Sequence, residues 1–468
     1  MSDIKIGLLP LYAGLYDQMD PQDKHTYSGY IDEVADGFAK NGASVVKAPV
    51  GIYESDIRET VRNFEKADVS LIAVLFLAYH PSLESAPALS ETKIPVAMLD
   101  ITPSLGFGPN TDPSLIMPCH GIHGVQDLCC VLQRYGKPFR VFAGHSKESD
   151  AIARCACYAK SCAMAAAFKS CRVGIIGEPF EKMGDFAMGF PYIELTTGAK
   201  TISLEKQNAI RLTESLTEAE INEAAEMLRS AFSIADGLSD DCFNLAATNT
   251  AVIKKWIHEE KLNAFTFNFL DFGKGLGLSA IPFAAASLLM GGCTGYAGEG
   301  DVLTAALVAA CMRIYPESTF TEMFCPDWQG NTVFMSHMGE VNYKVSINPT
   351  IFCKDVPWVP ELNGGKTPGV AALYKPGDAV LVNLVPLARG KYSLILAPCE
   401  ICAVNTEDKF IESVRGWLRP PYDISKFLED YSNLGGTHHS SLCYGADVSV
   451  LAEFGKLMGW KVHILEGK

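Results

Sequence analysis

The sequence predicts an α/β protein in which two parallel-sheet domains are followed by a β-rich, barrel-like C-terminal domain. Three observations lead there. Near-continuous apolar runs alternate with amphipathic helical patterns over the first 170 residues, and a second series of the same kind opens near residue 171. After residue 330 the pattern becomes residue-by-residue alternation broken by Gly and Pro turns. The corresponding domains are 1–170, 171–330 and 331–468. A chain of 468 residues is too long for one ordinary core, which agrees with this division.

Each element has its own reason. "IKIGLLPLY" is a buried-strand run. "YSGYIDEVADGFAKNG" then places apolar residues at helical spacing and ends on Asn-Gly, a C-terminal helix signal. "ASVVKAP" and "VSLIAVLFLAY" are further buried strands, with "ESDIRETVRNFEKA" as the helix between them, and "IPVAMLDI" and "FRVFAGH" continue the series. This layer resembles a Rossmann-like sheet but lacks a GxGxxG after its first strand, so no nucleotide site is expected. "SCRVGIIGEPFEKMGDF" opens the second Rossmann-like layer, followed by the acidic helix "TEAEINEAAEMLRSAFSIA" and the strand-like "NAFTFNFLDF". "VFMSHMGEVNYKVSINPTIF" and "GDAVLVNLVPLARGKYSLILAPCEICAV" supply the antiparallel strands of the third.

Composition narrows the function classes. Apolar residues make up 48% and charged ones 20%, as in a globular chain. A net charge of −15 argues against a nucleic-acid binder, which needs a basic face. No window offers the uninterrupted apolar run of a membrane span, and the N-terminus lacks the pattern of an export signal, so a cytoplasmic location is expected. The 15 cysteines are then read as buried reduced thiols, and the lone CxxC of Cys399 and Cys402 as two core thiols at a strand end.

The polar residues raise a sharper question. "GYAGEGD", residues 295–301, sets Glu299 between two glycines inside a small, apolar stretch, where an unpaired carboxylate would be costly to bury. Other acids and imidazoles stand in similar settings: Glu322 in "FTEM", His337 in "SHMGEV", and His438 and His439 in "GGTHHSS". Two carboxylates and two imidazoles suit a divalent ion such as Mn²⁺, which would also offset the charge of Glu299. Each residue alone reads more simply as structural, as His463 in "WKVHILEG" does.

Four motifs carry a resemblance. "GYAGEGDVLTAALV" resembles the acid-bearing motif of bacterial L-arabinose isomerases, "FTEM" their second acid motif, and "SHMGEV" their His-Met-x-Glu-Val motif. "VRGWLRPPYDISKFLEDYSNLGGTHHSSL" is similar to their C-terminal stretch ending in Gly-Gly-x-His-His. The motifs keep the family's order and similar gaps, and the chain is identified as a member of the L-arabinose/L-fucose isomerase superfamily. The resemblance implies a metal-dependent aldose–ketose isomerase working through a cis-enediol, with Glu299 and Glu322 as the acid/base pair. It implies Glu299, Glu322, His337 and His439 as ligands of Mn²⁺, or of Co²⁺ or Mg²⁺, and His123, His438, Phe269 and Met338 as substrate-binding. Phe272 is the alternative to Phe269, and Asp327 the alternative to Glu322 if the L-fucose isomerase branch is the nearer one. It also implies a homo-oligomer, hexamer or tetramer, with pockets shared between subunits and His123 supplied by a neighbour.

The departures concern the substrate side. "LLPLYAGLYD" follows the first strand where the family carries a polar Gln-His before Leu-Tyr. This raises a deoxy sugar, or an anionic one held by Arg134 or Arg140, as alternatives to a neutral pentose. A sugar-binding or regulatory protein on the same scaffold is the non-enzyme alternative, and metal dependence of turnover discriminates the two.

Overall fold

The computed structural model describes residues 4–467. The chain divides into two compact units, Met1–Ala163 and Met164–Lys468.

The first unit is built on five strands: β1 (Ile4–Leu11), β2 (Ala43–Lys47), β3 (Leu71–Phe76), β4 (Val96–Thr102) and β5 (Phe139–His145). They form one sheet in the order β2-β1-β3-β4-β5, parallel at every pairing. All six residues of β3 are buried, which is why its sequence runs apolar without alternation. Leu9, Ile72, Val74 and Met98 from the strands meet Val61, Phe64, Leu128 and Leu132 from the helices Glu54–Lys66 and Ile122–Arg134 in one core. Residues 113–134 are long and apolar enough by composition to cross a membrane, which the sequence reading did not anticipate. The stretch breaks into three short helices, and the last of them buries Val125, Leu128, Val131 and Leu132 against the sheet, so its apolar face is already spent on the core.

The second unit holds two sheets. β6 (Arg172–Ile176), β7 (Lys200–Ser203), the two-residue β8 (Ser233–Ile234), β9 (Ala264–Phe267) and β10 (Gly295–Gly298) come first in the chain. Four of these make a parallel sheet in the order β10-β9-β6-β7. Its helices start on the expected devices: a capping box of Thr217 and Glu220 opens Glu218–Ala231, and Asp301 caps Val302–Met312 by accepting the Thr304 N–H at 2.9 Å.

The remaining strands are β11 (Ser318–Asp327), β12 (Thr332–Ser336), β13 (Ser346–Asp355), β14 (Lys366–Tyr374), β15 (Gly377–Pro386), β16 (Tyr392–Ile401), β17 (Val414–Arg419), β18 (His439–Tyr444) and β19 (Lys461–Ile464). With β8 they form a ten-stranded mixed sheet. It closes on itself, because β16 pairs with β17 as well as with β15: β16-β15-β18-β11-β12-β17 is a ring of six antiparallel strands. Met335, Leu381, Ile395, Leu418 and Leu442, from five of these strands, share one buried cluster, as the filled interior of a small barrel requires. Cys399 lies buried in β16, its Sγ donating to the Ala379 carbonyl at 3.4 Å. Cys402 is only half-buried just past the strand, and Cys130, Cys293, Cys325 and Cys353 are exposed, so the cysteines are not uniformly core thiols.

Strand periodicity then decides where the polar residues go. On β18 Leu442 joins the interior cluster, so His439 and Ser441 face the other way. On β11 Thr321 meets the Tyr374 hydroxyl on the interior side at 3.0 Å, so Phe320 and Glu322 face outward. That outer face packs against β10, where the Tyr296 ring stands edge-on to Phe320 at 5.7 Å.

Candidate metal centre

Glu299 sits just past β10, at the start of the turn into the helix Val302–Met312. It adopts φ +62, a left-handed conformation that costs a residue with a Cβ about 1 kcal/mol or more. Its neighbours explain the glycines. A Cβ on Gly298 would lie 2.5 Å from His337 Cε1, and one on Gly300 only 2.6 Å from Pro179 Cα. The backbone here is held in place so that the carboxylate points at the outer face of the barrel. Gly298→Ala is therefore expected to displace His337 and to weaken Mn²⁺ binding roughly 10–100-fold, the usual cost of disturbing a ligand's support. Calorimetric titration with Mn²⁺ checks this, and an unchanged affinity would detach His337 from the site.

Opposite Glu299 stand three residues fixed by strand register. Glu322 pairs directly with His439 across β11 and β18, and with Ser336 on β12, so that His337 follows at its side. His439 Nε2 lies 2.9 Å from Glu322 Oε1 and 3.5 Å from Glu299 Oε2. His337 Nε2 lies 3.2 Å from Glu322 Oε1, and His438 Nε2 lies 3.6 Å from Glu299 Oε2. Ligand atoms of Glu299, Glu322, His438 and His439 all fall within 4.8 Å of one another.

The opposite ring nitrogens are tied down. His337 Nδ1 meets Glu340 Oε1 at 2.6 Å, His439 Nδ1 meets Asp301 Oδ2 at 2.9 Å, and His438 Nδ1 meets Asp185 Oδ2 at 2.6 Å. Glu340 is fully buried and also accepts the Tyr296 hydroxyl at 2.8 Å. Such carboxylate–histidine pairs orient an imidazole so that Nε2 presents its lone pair. Glu299 Oε2, His337 Nε2 and His439 Nε2 are buried and make no hydrogen bond among the described residues. Three buried, unsatisfied ligand atoms, two nitrogens that both approach Glu322 Oε1 and an oxygen that His439 also approaches, suit a divalent cation.

Electrostatics say the same. Burial pushes the Glu299 carboxyl up, but the close approach of the His438 and His439 imidazoles outweighs it and holds it at about 2. Burial also pushes the largely buried Glu322 up, but the neighbouring His337 and His439 imidazoles hold it well below the usual carboxylate range. Burial lowers His337, but the Glu340 and Glu322 carboxylates raise it to about 10; His439 is raised too, by Asp301, Glu299 and Glu322. Without metal the network is thus a set of ion pairs. His337 rises from an ordinary 6.5, so its contribution to stability is complete below that value and is lost as pH climbs through about 10. Glu299 falls from 4.5, so its contribution is complete above that value and is lost as pH drops towards about 2. In chelator, thermal stability should peak between the two ordinary values, and Glu299→Gln should flatten the acid limb. Calorimetry across pH checks it; an acid limb identical in both proteins would show that Glu299 is not part of the network.

The positions expected from sequence separate clearly. Glu299, Glu322, His337, His438 and His439 converge, with Met338 half-buried beside His337. Asp327 does not join them: it sits at the β11–β12 turn, where its Oδ1 accepts the Gly330 N–H at 2.9 Å. Phe269 stacks near Phe180 at 5.8 Å, and Phe180 N–H donates to the Glu299 carbonyl at 2.9 Å, whereas Phe272 is buried against Phe267. His123 belongs to the first unit, exposed in the first turn of its helix and edge-on to His120 at 5.8 Å. Arg134 closes that same helix, about 16 Å further along its axis, and Arg140 is the second residue of β5 at the same end. The two arginines therefore lie at the opposite end of the sheet from His123, because a helix returning between parallel strands carries its two termini to opposite edges. Sequence reasoning gave no role to Asp301, Glu340 or Asp185. Two of these had a local signal, Asp301 lying two residues after Glu299 and Glu340 three after His337; Asp185, 253 residues from His438, had none.

Comparison with known proteins identifies the family. Residues 194–316 match the family model of the L-arabinose isomerase central domain, and residues 317–461 that of its C-terminal domain, together more than half of the chain. The chain is 22% identical over 363 residues to the L-arabinose isomerase of Bifidobacterium adolescentis, covering 74% of this chain and 69% of that protein. The L-arabinose isomerase of Acidothermus cellulolyticus is 21% identical over 74% of this chain and 70% of its own length. That of Leuconostoc mesenteroides is 31% identical over 44% of this chain and 43% of its own length. The chain belongs to the L-arabinose isomerase-like superfamily of sugar isomerases.

Proposed function

We propose that the chain is a metal-dependent aldose–ketose isomerase that moves a proton between C1 and C2 of a monosaccharide through a cis-enediol, with Glu299 and Glu322 as the acid/base pair. The observation that carries this is the facing of two buried carboxylates across a cluster of oriented imidazoles. We assign Glu299, Glu322, His337 and His439 as the residues that would hold Mn²⁺. His337 is preferred to His438 because it is fully buried, its Nδ1 is anchored on a buried carboxylate, and its Nε2 has no other hydrogen-bond partner among the described residues. A bound divalent cation supplies Lewis-acid stabilisation of enediolate charge and orients O1 and O2.

The chain's own residues do the rest. One glutamate takes the C2 proton of the aldose and returns it at C1, while the other side of the site moves the proton between the two oxygens. Each such group is worth roughly 10²–10⁴-fold. Phe186 stacks on His439, and Phe180, packed on Phe269, donates its N–H to the Glu299 carbonyl, so apolar rings border the charged groups and strengthen the interactions among them.

L-arabinose, the substrate in the relatives' names, heads the sugars to test. Arg134 and Arg140 give an anionic sugar no support, since they lie away from His123 at the other end of their sheet. Incubation of Mn²⁺-loaded protein with a panel of aldoses in D₂O tests the reading: conversion to the ketose, with deuterium entering at C1 or C2, is expected. No conversion and no exchange in any aldose would overturn it. Membership of an isomerase family sets aside the binding-protein alternative. The reading includes a homo-oligomer in which His123 of one subunit completes the pocket of another. A fully active monomer by light scattering would refute that part.

A further inference from the structure

The segment between β6 and the helix Phe190–Thr197 has no regular secondary structure of its own, yet it is tied to the site at successive points. Glu178 N–H donates to Asp271 Oδ2 at 2.8 Å, and Phe180 N–H donates to the Glu299 carbonyl at 2.9 Å. Asp185 Oδ2 accepts two hydrogen bonds from one residue: the His438 backbone N–H at 3.1 Å and its Nδ1–H at 2.6 Å. The next ring along, Phe186, stacks on His439 with centroids 4.9 Å apart and planes 12° apart. Two adjacent side chains thus grip the two adjacent histidines.

The histidines differ in what that grip achieves. His439 is sealed and held by Asp301 already, while the His438 side chain is 37% exposed and, among the described residues, has no other anchor for Nδ1. An imidazole so placed can turn about both of its side-chain torsions. A single carboxylate oxygen that bonds both backbone and ring removes that freedom. It also decides which nitrogen is presented: with Nδ1 engaged, Nε2 faces Glu299 Oε2 at 3.6 Å.

We infer that Asp185 is a positioning residue, which orients His438 so that its Nε2 meets a sugar oxygen beside the metal. This rests on the isomerase reading of the site. Asp185 touches neither substrate nor metal in this role; it acts through His438, and the loop's other ties bring it within reach.

The test uses the Mn²⁺-loaded full chain with Asp185→Ala and Asp185→Asn, read in three ways. Carbethoxylation of His438 by diethyl pyrocarbonate, mapped by peptide mass, should rise several-fold in Asp185→Ala and much less in Asp185→Asn, which keeps an acceptor oxygen. The Mn²⁺ dissociation constant should stay within about twofold, because His438 is not a ligand in this assignment. The kcat/KM for the best aldose of the panel should fall about tenfold in Asp185→Ala, the usual scale for losing the placement of one group. Unchanged His438 protection would overturn the inference, and so would a loss of Mn²⁺ affinity in step with kcat/KM, which would make His438 a ligand. If the wild type converts no aldose, the isomerase reading fails, while the carbethoxylation comparison still decides whether Asp185 orients His438.

Discussion

Glu322→Gln is expected to lower kcat by about 10³-fold or more at saturating Mn²⁺, with the fold intact. The side chain keeps its size and one acceptor oxygen but loses its charge. That charge serves two neighbours at once, His439 Nε2 at 2.9 Å and His337 Nε2 at 3.2 Å, and those two imidazoles hold the carboxylate ionised although the side chain is largely buried. The amide can neither take a proton from carbon nor donate an anionic oxygen to a cation. Glu299→Gln should fall by a similar factor, since the two serve the same turnover and the same cation site and their effects overlap rather than add. The control is Asp327→Asn, five residues further along β11 at a solvent-exposed turn. It should stay near wild type. A Glu322→Gln enzyme within tenfold of wild type, or an Asp327→Asn enzyme that is the damaged one, would move the acid/base role elsewhere.

How far all this could be read from the sequence depends on where each residue's partner lies. The parallel sheets were legible because strands covered on both faces run nearly continuously apolar, as β3 does without exception and β9 does apart from Thr266. The apolar ring of the barrel was legible from its alternation, but its strand β11 begins at Ser318, before the alternating pattern becomes obvious. "STFTEMF" reads poorly as a strand because its outward face is itself buried, carrying Phe320 and Glu322 against β10 rather than against water. The metal set was legible only as a collection of acids and imidazoles, and by resemblance. Nothing local states that Glu322 and His439 share a register, since 117 positions separate them and the cross-strand pairing is set by the whole barrel. The loop at Asp185 was illegible for a deeper reason: it works through backbone N–H groups and one carboxylate whose partners lie far along the chain, so it leaves no pattern in composition or spacing.

Removal of metal is expected to abolish turnover outright, and Mn²⁺ should restore it with release of protons. The sign follows from the site itself. In the metal-free chain the Glu340 and Glu322 carboxylates outweigh burial and keep His337 protonated up to about 10, with His439 raised by Asp301, Glu299 and Glu322. A nitrogen that carries a proton has no lone pair for a cation, so both Nε2 protons must leave when metal enters. The affinity should therefore rise with pH across the neutral range, about tenfold per unit for each proton released. Calorimetry in buffers of different ionisation enthalpy counts those protons directly. The loaded chain should also melt higher, by an amount that grows with free Mn²⁺: about 2.7 kcal/mol at a hundred times the dissociation constant. Each result excludes a different account. Chelated protein that keeps its rate would remove the cation from the reaction, leaving the carboxylates to act alone. Tight binding with no proton release would place the cation on oxygen ligands only, and His337 and His439 would then serve as charge partners of Glu322 rather than as ligands. Only proton release, pH-dependent affinity and regained turnover together require the two carboxylates and the two imidazoles to hold one ion.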